Sequence, residues 1–97
     1  IAIVAGSGDK AEYMASAENL GVQAYISGEI FNRIDNDYGR SRYSDVKSYI
    51  EKTKLSLIGV SHAASEYLVM KIQMQQFMKD NFDITTILLP MKKWRVD

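Results

Sequence analysis

The spacing of apolar residues divides the 97-residue chain into alternating short runs and helical stretches. "IAIVAG" (1–6) is a β-branched run closed by glycine, which predicts a strand. In "SGDKAEYMASAENLG" (7–21), Ala11, Met14, Ala15 and Leu20 recur at helical spacing, so a helix is expected, with Ser7 or Asp9 as its N-cap and Gly21 as its stop. "VQAYISG" (22–28) alternates like a strand and again ends on glycine. A strand, a helix and a second strand joined by short returns make a βαβ unit, which implies parallel pairing.

Residues 29–43, "EIFNRIDNDYGRSRY", are polar and turn-rich without a period, and are expected to form a loop with room for a short helical turn. "SDVKSYIEKTK" (44–54) places Val46, Tyr49 and Ile50 on one side, opened by Ser44 or Asp45, as a short amphipathic helix does. "LSLIGV" (55–60) is the third strand, and "SHAASEYLVMKIQMQQFMKDNF" (61–82) is the longest helix, capped by Ser61. "DITTILLP" (83–90) is expected to close the sheet, while the tail 91–97 has no assignment. The expected fold is α/β, a mixed or mostly parallel sheet with flanking helices in the order β-α-β-(loop)-α-β-α-β.

Composition narrows the classes. The chain is 46% hydrophobic and 25% charged, which fits a single globular α/β domain over 1–97. Twelve basic and twelve acidic residues cancel, so no global field draws it to nucleic acid or an anionic membrane. The absence of cysteine excludes disulfides, thiolate metal sites and a cysteine nucleophile, and suits a reducing, cytoplasmic setting. No apolar run approaches the roughly 18 residues that span a bilayer. The chain opens inside an apolar run without an initiator methionine, and a larger parent protein is expected.

Ligands of parallel sheets sit beyond the carboxyl ends of the strands. Three loops meet there: "GSGDK", "SGEIFN" and "GVSH". The last holds the single histidine, His62, four positions ahead of Glu66. Residues four apart share a helix face, so imidazole and carboxylate can converge on one cation such as zinc, manganese, iron or nickel. The plainer reading is a surface His–Glu pair, since this spacing is common by chance and a helix start disfavours a cation. "AGSGDK" has the form of an anion cradle or of an ordinary tight turn. In the first case Ser7 and Gly8 would contact substrate. Arg33, Arg40 and Arg42, interleaved with Phe31, Tyr38 and Tyr43, resemble a nucleic-acid grip. Asp35 and Asp37 spoil it, so a solvated or oligomer-contacting loop is the better reading and nucleic acid is disfavoured. Met14, Met70, Met74, Met78 and Phe77 have the spacing of core or interface residues, and Trp94 that of an interface anchor or an exposed tail.

Taken in order, "VAGSG", "GVQAYISGE", "LIGVSHAASE" and "DITTILL" resemble the C-terminal part of the NGG-interacting factor three-like family, also called GTP cyclohydrolase I type 2 homologues. The resemblance covers nearly the whole chain. It implies a cytoplasmic homo-oligomer with two divalent transition-metal ions, in which His62 and Glu66 are metal ligands. The remaining ligands, a histidine pair and an aspartate, would lie in an N-terminal half outside this sequence, leaving the chain inactive alone. Three departures stand out: the segment between Glu29 and His62 is longer than the short connection of the bacterial members, Glu29 stands where an aspartate is expected, and the family's "AGH" is "VSH" here. The activity implied is metal-dependent hydrolysis of a nucleotide-like substrate, with Glu29 as the catalytic base or as a support behind a ligand. The alternative is a non-catalytic binding or assembly module with a structural or incomplete metal site, serving a protein partner.

Overall fold

A computed structural model of the chain describes residues 1–90. Three short strands, β1 (Ala2–Val4), β2 (Ala24–Ser27) and β3 (Ser56–Gly59), lie in the order β1-β2-β3, all parallel. The crossovers carry α1 (Ala11–Asn19) and α2 (Asp37–Ile50). After β3 the chain runs through α3 (His62–Val69), a π-helical turn (Met70–Met74) and α4 (Gln75–Asn81).

Both crossover helices pack on one face of the sheet. Met14 and Ala17 of α1 and Val46 of α2 close over Tyr25 and Leu55, with Ala2, Val4, Tyr49 and Leu57 at the margin. The pleat sends alternate residues to the other face, where Ile3, Ile26 and Ile58 stand in register across the three strands. Ile3 is 76% and Ile58 44% exposed. Among the described residues no helix packs over this row of isoleucines, because both connections used the opposite side.

Local chemistry explains the boundaries. Gly21 (φ +80°) ends α1 in a Schellman arrangement: the Val22 N–H donates to the Ala17 carbonyl at 3.2 Å and the Gly21 N–H to that of Glu18 at 2.9 Å. The expected N-caps Ser7 and Asp9 are wrong, since Lys10 occupies that position without a side-chain bond and the two are engaged with each other. Ser61 caps α3 as expected, accepting from the Ala64 N–H at 3.1 Å.

Three expectations need correction. The segment 29–43 is not all loop: α2 starts at Asp37, capped by Asn36, which accepts from the Gly39 N–H at 2.8 Å, so Ser44 and Asp45 lie inside the helix. Gly39 makes that early start possible, because a Cβ there would lie 2.6 Å from that of Ile34. The closing strand at 83–90 is not formed among the described residues. This segment instead runs beside the last helices, with Gln75 Nε2 donating to Thr86 Oγ1 at 3.1 Å. The helix predicted over 61–82 is present but carries the π turn, and Met70, Met74 and Phe77 are exposed while Met14 is fully buried. The tail with Trp94 lies outside the described residues.

Candidate metal centre

The carboxyl ends of the three strands bring Gly6, Gly28 and α3 together. Two of these contacts require glycine. A Cβ on Gly28 would meet the Gly6 carbonyl, would lie 2.7 Å from Ser65 Oγ and would sit 2.8 Å from His62 Cα. A Cβ on Gly6 (φ +69°) would strike the Glu66 carboxylate. The start of α3 therefore rests directly on two bare stretches of backbone. Ser65 fastens it, accepting from the Gly6 N–H at 2.9 Å and donating to the His62 carbonyl at 2.9 Å.

His62 is 40% exposed and lies between two carboxylates. Its Nε2 is 3.0 Å from Glu66 Oε1 and its Nδ1 is 3.2 Å from Glu29 Oε1. Partial burial pulls the imidazole pKa down, but the hydrogen bond and charge of Glu29, with Glu66 added, outweigh it and hold the pKa above 6.5.

The donor set fits one edge of a metal site. An imidazole nitrogen and a carboxylate oxygen 3.0 Å apart suit adjacent ligands of one divalent ion with bonds of about 2.0–2.2 Å. Glu29 faces the other ring nitrogen, which points away from that edge, so it belongs behind the imidazole. Among the described residues no group of three His, Cys, Asp or Glu converges as a complete metal site.

Ser7 and Gly8, expected at the substrate, serve the loop's own structure. The Ser7 hydroxyl donates to Asp9 Oδ1 at 2.6 Å, the Gly8 N–H donates to the Gly6 carbonyl at 3.2 Å, and the Gly8 carbonyl accepts from Tyr25 Oη at 2.8 Å. Burial, then the charge of Asp9, raises the Tyr25 pKa and keeps that phenol a donor. The reading of the 29–43 arginines as a solvated or contacting loop fails at Arg42. It is 14% exposed and ion-paired with Asp9, which is fully buried. Arg40 is held by Asp35 and Asp37. The Asp9 pairing went unread in the sequence because its partner is 33 positions away, and the only local signal was an acidic residue in a glycine-rich turn.

Residues 1–94, which include every residue of this site, match the family model described as Duf34/NIF3 (NGG1p interacting factor 3). The chain belongs to the Duf34/NIF3 family. No curated protein and no solved structure matches it. Within this Duf34/NIF3 chain, the "SGE" and "VSHAASE" segments that carried the resemblance are the ones the fold brings together around His62. No helix among the described residues is long and apolar enough to cross a membrane.

Proposed function

We propose that this Duf34/NIF3 chain carries one part of a divalent-metal centre, and that the intact protein is a metal-dependent hydrolase acting on a nucleotide-like substrate. The observation that supports it is the placement of His62 between two carboxylates, one on each ring nitrogen. In this reading His62 Nε2 and Glu66 hold the ion. Glu29 accepts the Nδ1–H, which fixes the tautomer and raises the basicity of the ligating nitrogen, as carboxylate–histidine pairs do behind metal ions. A bound divalent ion supplies Lewis-acid activation of water. The bare backbone at Gly6 lets the Glu66 carboxylate reach the strand ends. A second ion, and the ligands that complete the first, would be held by groups outside the described residues.

Manganese titration followed by NMR tests this at weak affinity. Paramagnetic broadening confined first to His62, Ser65 and Glu66, and abolished in His62→Ala, is the expected result. Broadening that ignores His62, or none up to millimolar manganese, removes the metal reading.

A different observation favours the assembly reading. Ile3, Ile26 and Ile58 stand in register on one face of the sheet, and Ile3 and Ile58 are exposed there. A homo-oligomer, in the cytoplasm by default, would cover such a face. Light scattering of the wild type beside Ile58→Lys reads this: an oligomer that the lysine dissociates supports it, and a monomer in both removes it.

A further inference from the structure

The buried Asp9–Arg42 pair lies outside the metal edge and has no part in the reading above. Asp9 is fully buried, and both its carboxylate oxygens are occupied. Oδ1 takes the Ser7 hydroxyl at 2.6 Å and the Arg42 guanidinium. Oδ2 takes the Asn32 amide at 2.7 Å. Arg42 also donates to the Asp9 carbonyl, from Nε at 3.3 Å and Nη2 at 3.2 Å, and its Nη1 donates to Tyr38 Oη at 2.8 Å. Three segments distant in sequence, the β1–α1 loop, the stretch after β2 and α2, are thereby fastened at one carboxylate.

A buried ion pair adds little net stability, because desolvation offsets the Coulomb gain. Its geometric effect is definite. Asn32 lies three residues after Glu29 and Asp9 three residues after Gly6. The two loops are joined at both ends: Asn32 to Asp9 at one, and the Glu29 N–H to the Gly6 carbonyl at 3.0 Å at the other. One attachment would leave a hinge, whereas two fix the loops' mutual orientation. Gly6 in turn carries α3 through Ser65, and the Glu29 carboxylate leaves this double attachment toward His62.

We propose that Asn32 and Arg42 are positioning residues of the metal centre, holding through Asp9 the two loops that aim Glu29 and α3 at each other. The proposal rests on the metal reading for its functional consequence but not for its mechanical one, and the experiment separates the two. Amide hydrogen exchange and zinc titration at fixed pH are measured on Asn32→Ala, on Arg42→Lys and on Tyr49→Phe. The last breaks a hydrogen bond to Glu18 at the far end of α2 and serves as the control for a side-chain hydrogen bond lost away from the two loops.

In Asn32→Ala and Arg42→Lys, exchange at the Gly6 and Glu29 amides rises at least about tenfold while the Tyr25 and Ile26 amides hold, and zinc affinity falls about tenfold, the range of lost support behind a metal ligand. Tyr49→Phe changes neither. Equal exchange in all three variants, or loss spread evenly into the core, overturns the proposal. If the wild type binds no zinc, the metal reading fails, and exchange at Gly6 and Glu29 alone decides whether the positioning role stands. Should Asn32→Ala fail to fold, Arg42→Lys, which keeps the charge and loses the fork, decides by the same readings.

Discussion

Gly28→Ala separates a steric requirement of the site from a general loss of stability. Gly28 is not at positive φ, so alanine carries no conformational penalty there, and the whole effect is contact. The new methyl would lie 2.8 Å from His62 Cα and 2.7 Å from Ser65 Oγ, and closer still to the Gly6 carbonyl. Relaxed carbon contacts need about 3.5–4.0 Å, so α3 has to withdraw from the strand ends by roughly 1 Å. Two of the three obstacles are main chain and cannot rotate away. Overpacking of this kind costs about 1–3 kcal/mol. At about 4–8 °C per kcal/mol for a domain this small, Tm falls by roughly 8–16 °C at the middle of that range. The withdrawal also stretches the 2.9 Å bond from the Gly6 N–H to Ser65 and the 3.2 Å contact between Glu29 and His62. Thermal unfolding gives the first number, and the ring-nitrogen shifts of His62 at fixed pH give the second. A Gly28→Ala protein that melts within about 2 °C of wild type, or keeps wild-type His62 shifts, refutes the contact argument.

Other perturbations have different signatures. Met14→Ala opens a cavity under α1 at a fully buried position and is expected to cost about 2–5 kcal/mol in urea unfolding. Gly21→Ala meets nothing within 4 Å but must hold φ near +80°, so a loss of about 1 kcal/mol with no change at His62 is the expected result. Glu18 is held below its usual 4.5 by the Tyr49 hydroxyl, then the Lys54 N–H and the Thr53 hydroxyl; its stabilisation is present above pH 4.5 and lost as pH falls through the lower folded value, and Glu18→Gln should flatten that acid limb. His62 has the opposite sign: its contribution is complete below pH 6.5 and lost as pH rises through the raised folded pKa, so an NMR titration should give a midpoint above 6.5 that drops in Glu29→Gln.

Where periodicity and a local terminator agreed, the elements were readable in advance. Val22–Gly28 alternates and is closed by glycine, and Gly21 ends α1 through its own backbone conformation. The start of α2 was not readable, because Asp37–Tyr43 has no apolar period. That turn is set by the Asn36 cap, by Gly39 against Ile34 and by Arg42 against Asp9; the first two are local contacts without a hydrophobic period to announce them, and the last depends on where the rest of the chain lies. The strand expected at 83–90 failed for a related reason. Alternation and β-branching make a segment competent for a sheet, but pairing needs an open edge within reach, and this segment stays beside α4.

For the site, helical spacing alone paired His62 with Glu66 but could not decide between a metal edge and a surface pair. What spacing could not supply is Glu29, which reaches the opposite ring nitrogen from a different strand end. With Glu66 alone, the ring could turn its free nitrogen to solvent and the pair would be an ordinary exposed contact, worth little. With Glu29 on the other ring nitrogen, the ring is held from both sides and its orientation is fixed. The decisive feature is thus a relation among three loop ends set by bare backbone at Gly6 and Gly28, and the most informative glycines in this chain are those against which α3 comes to rest.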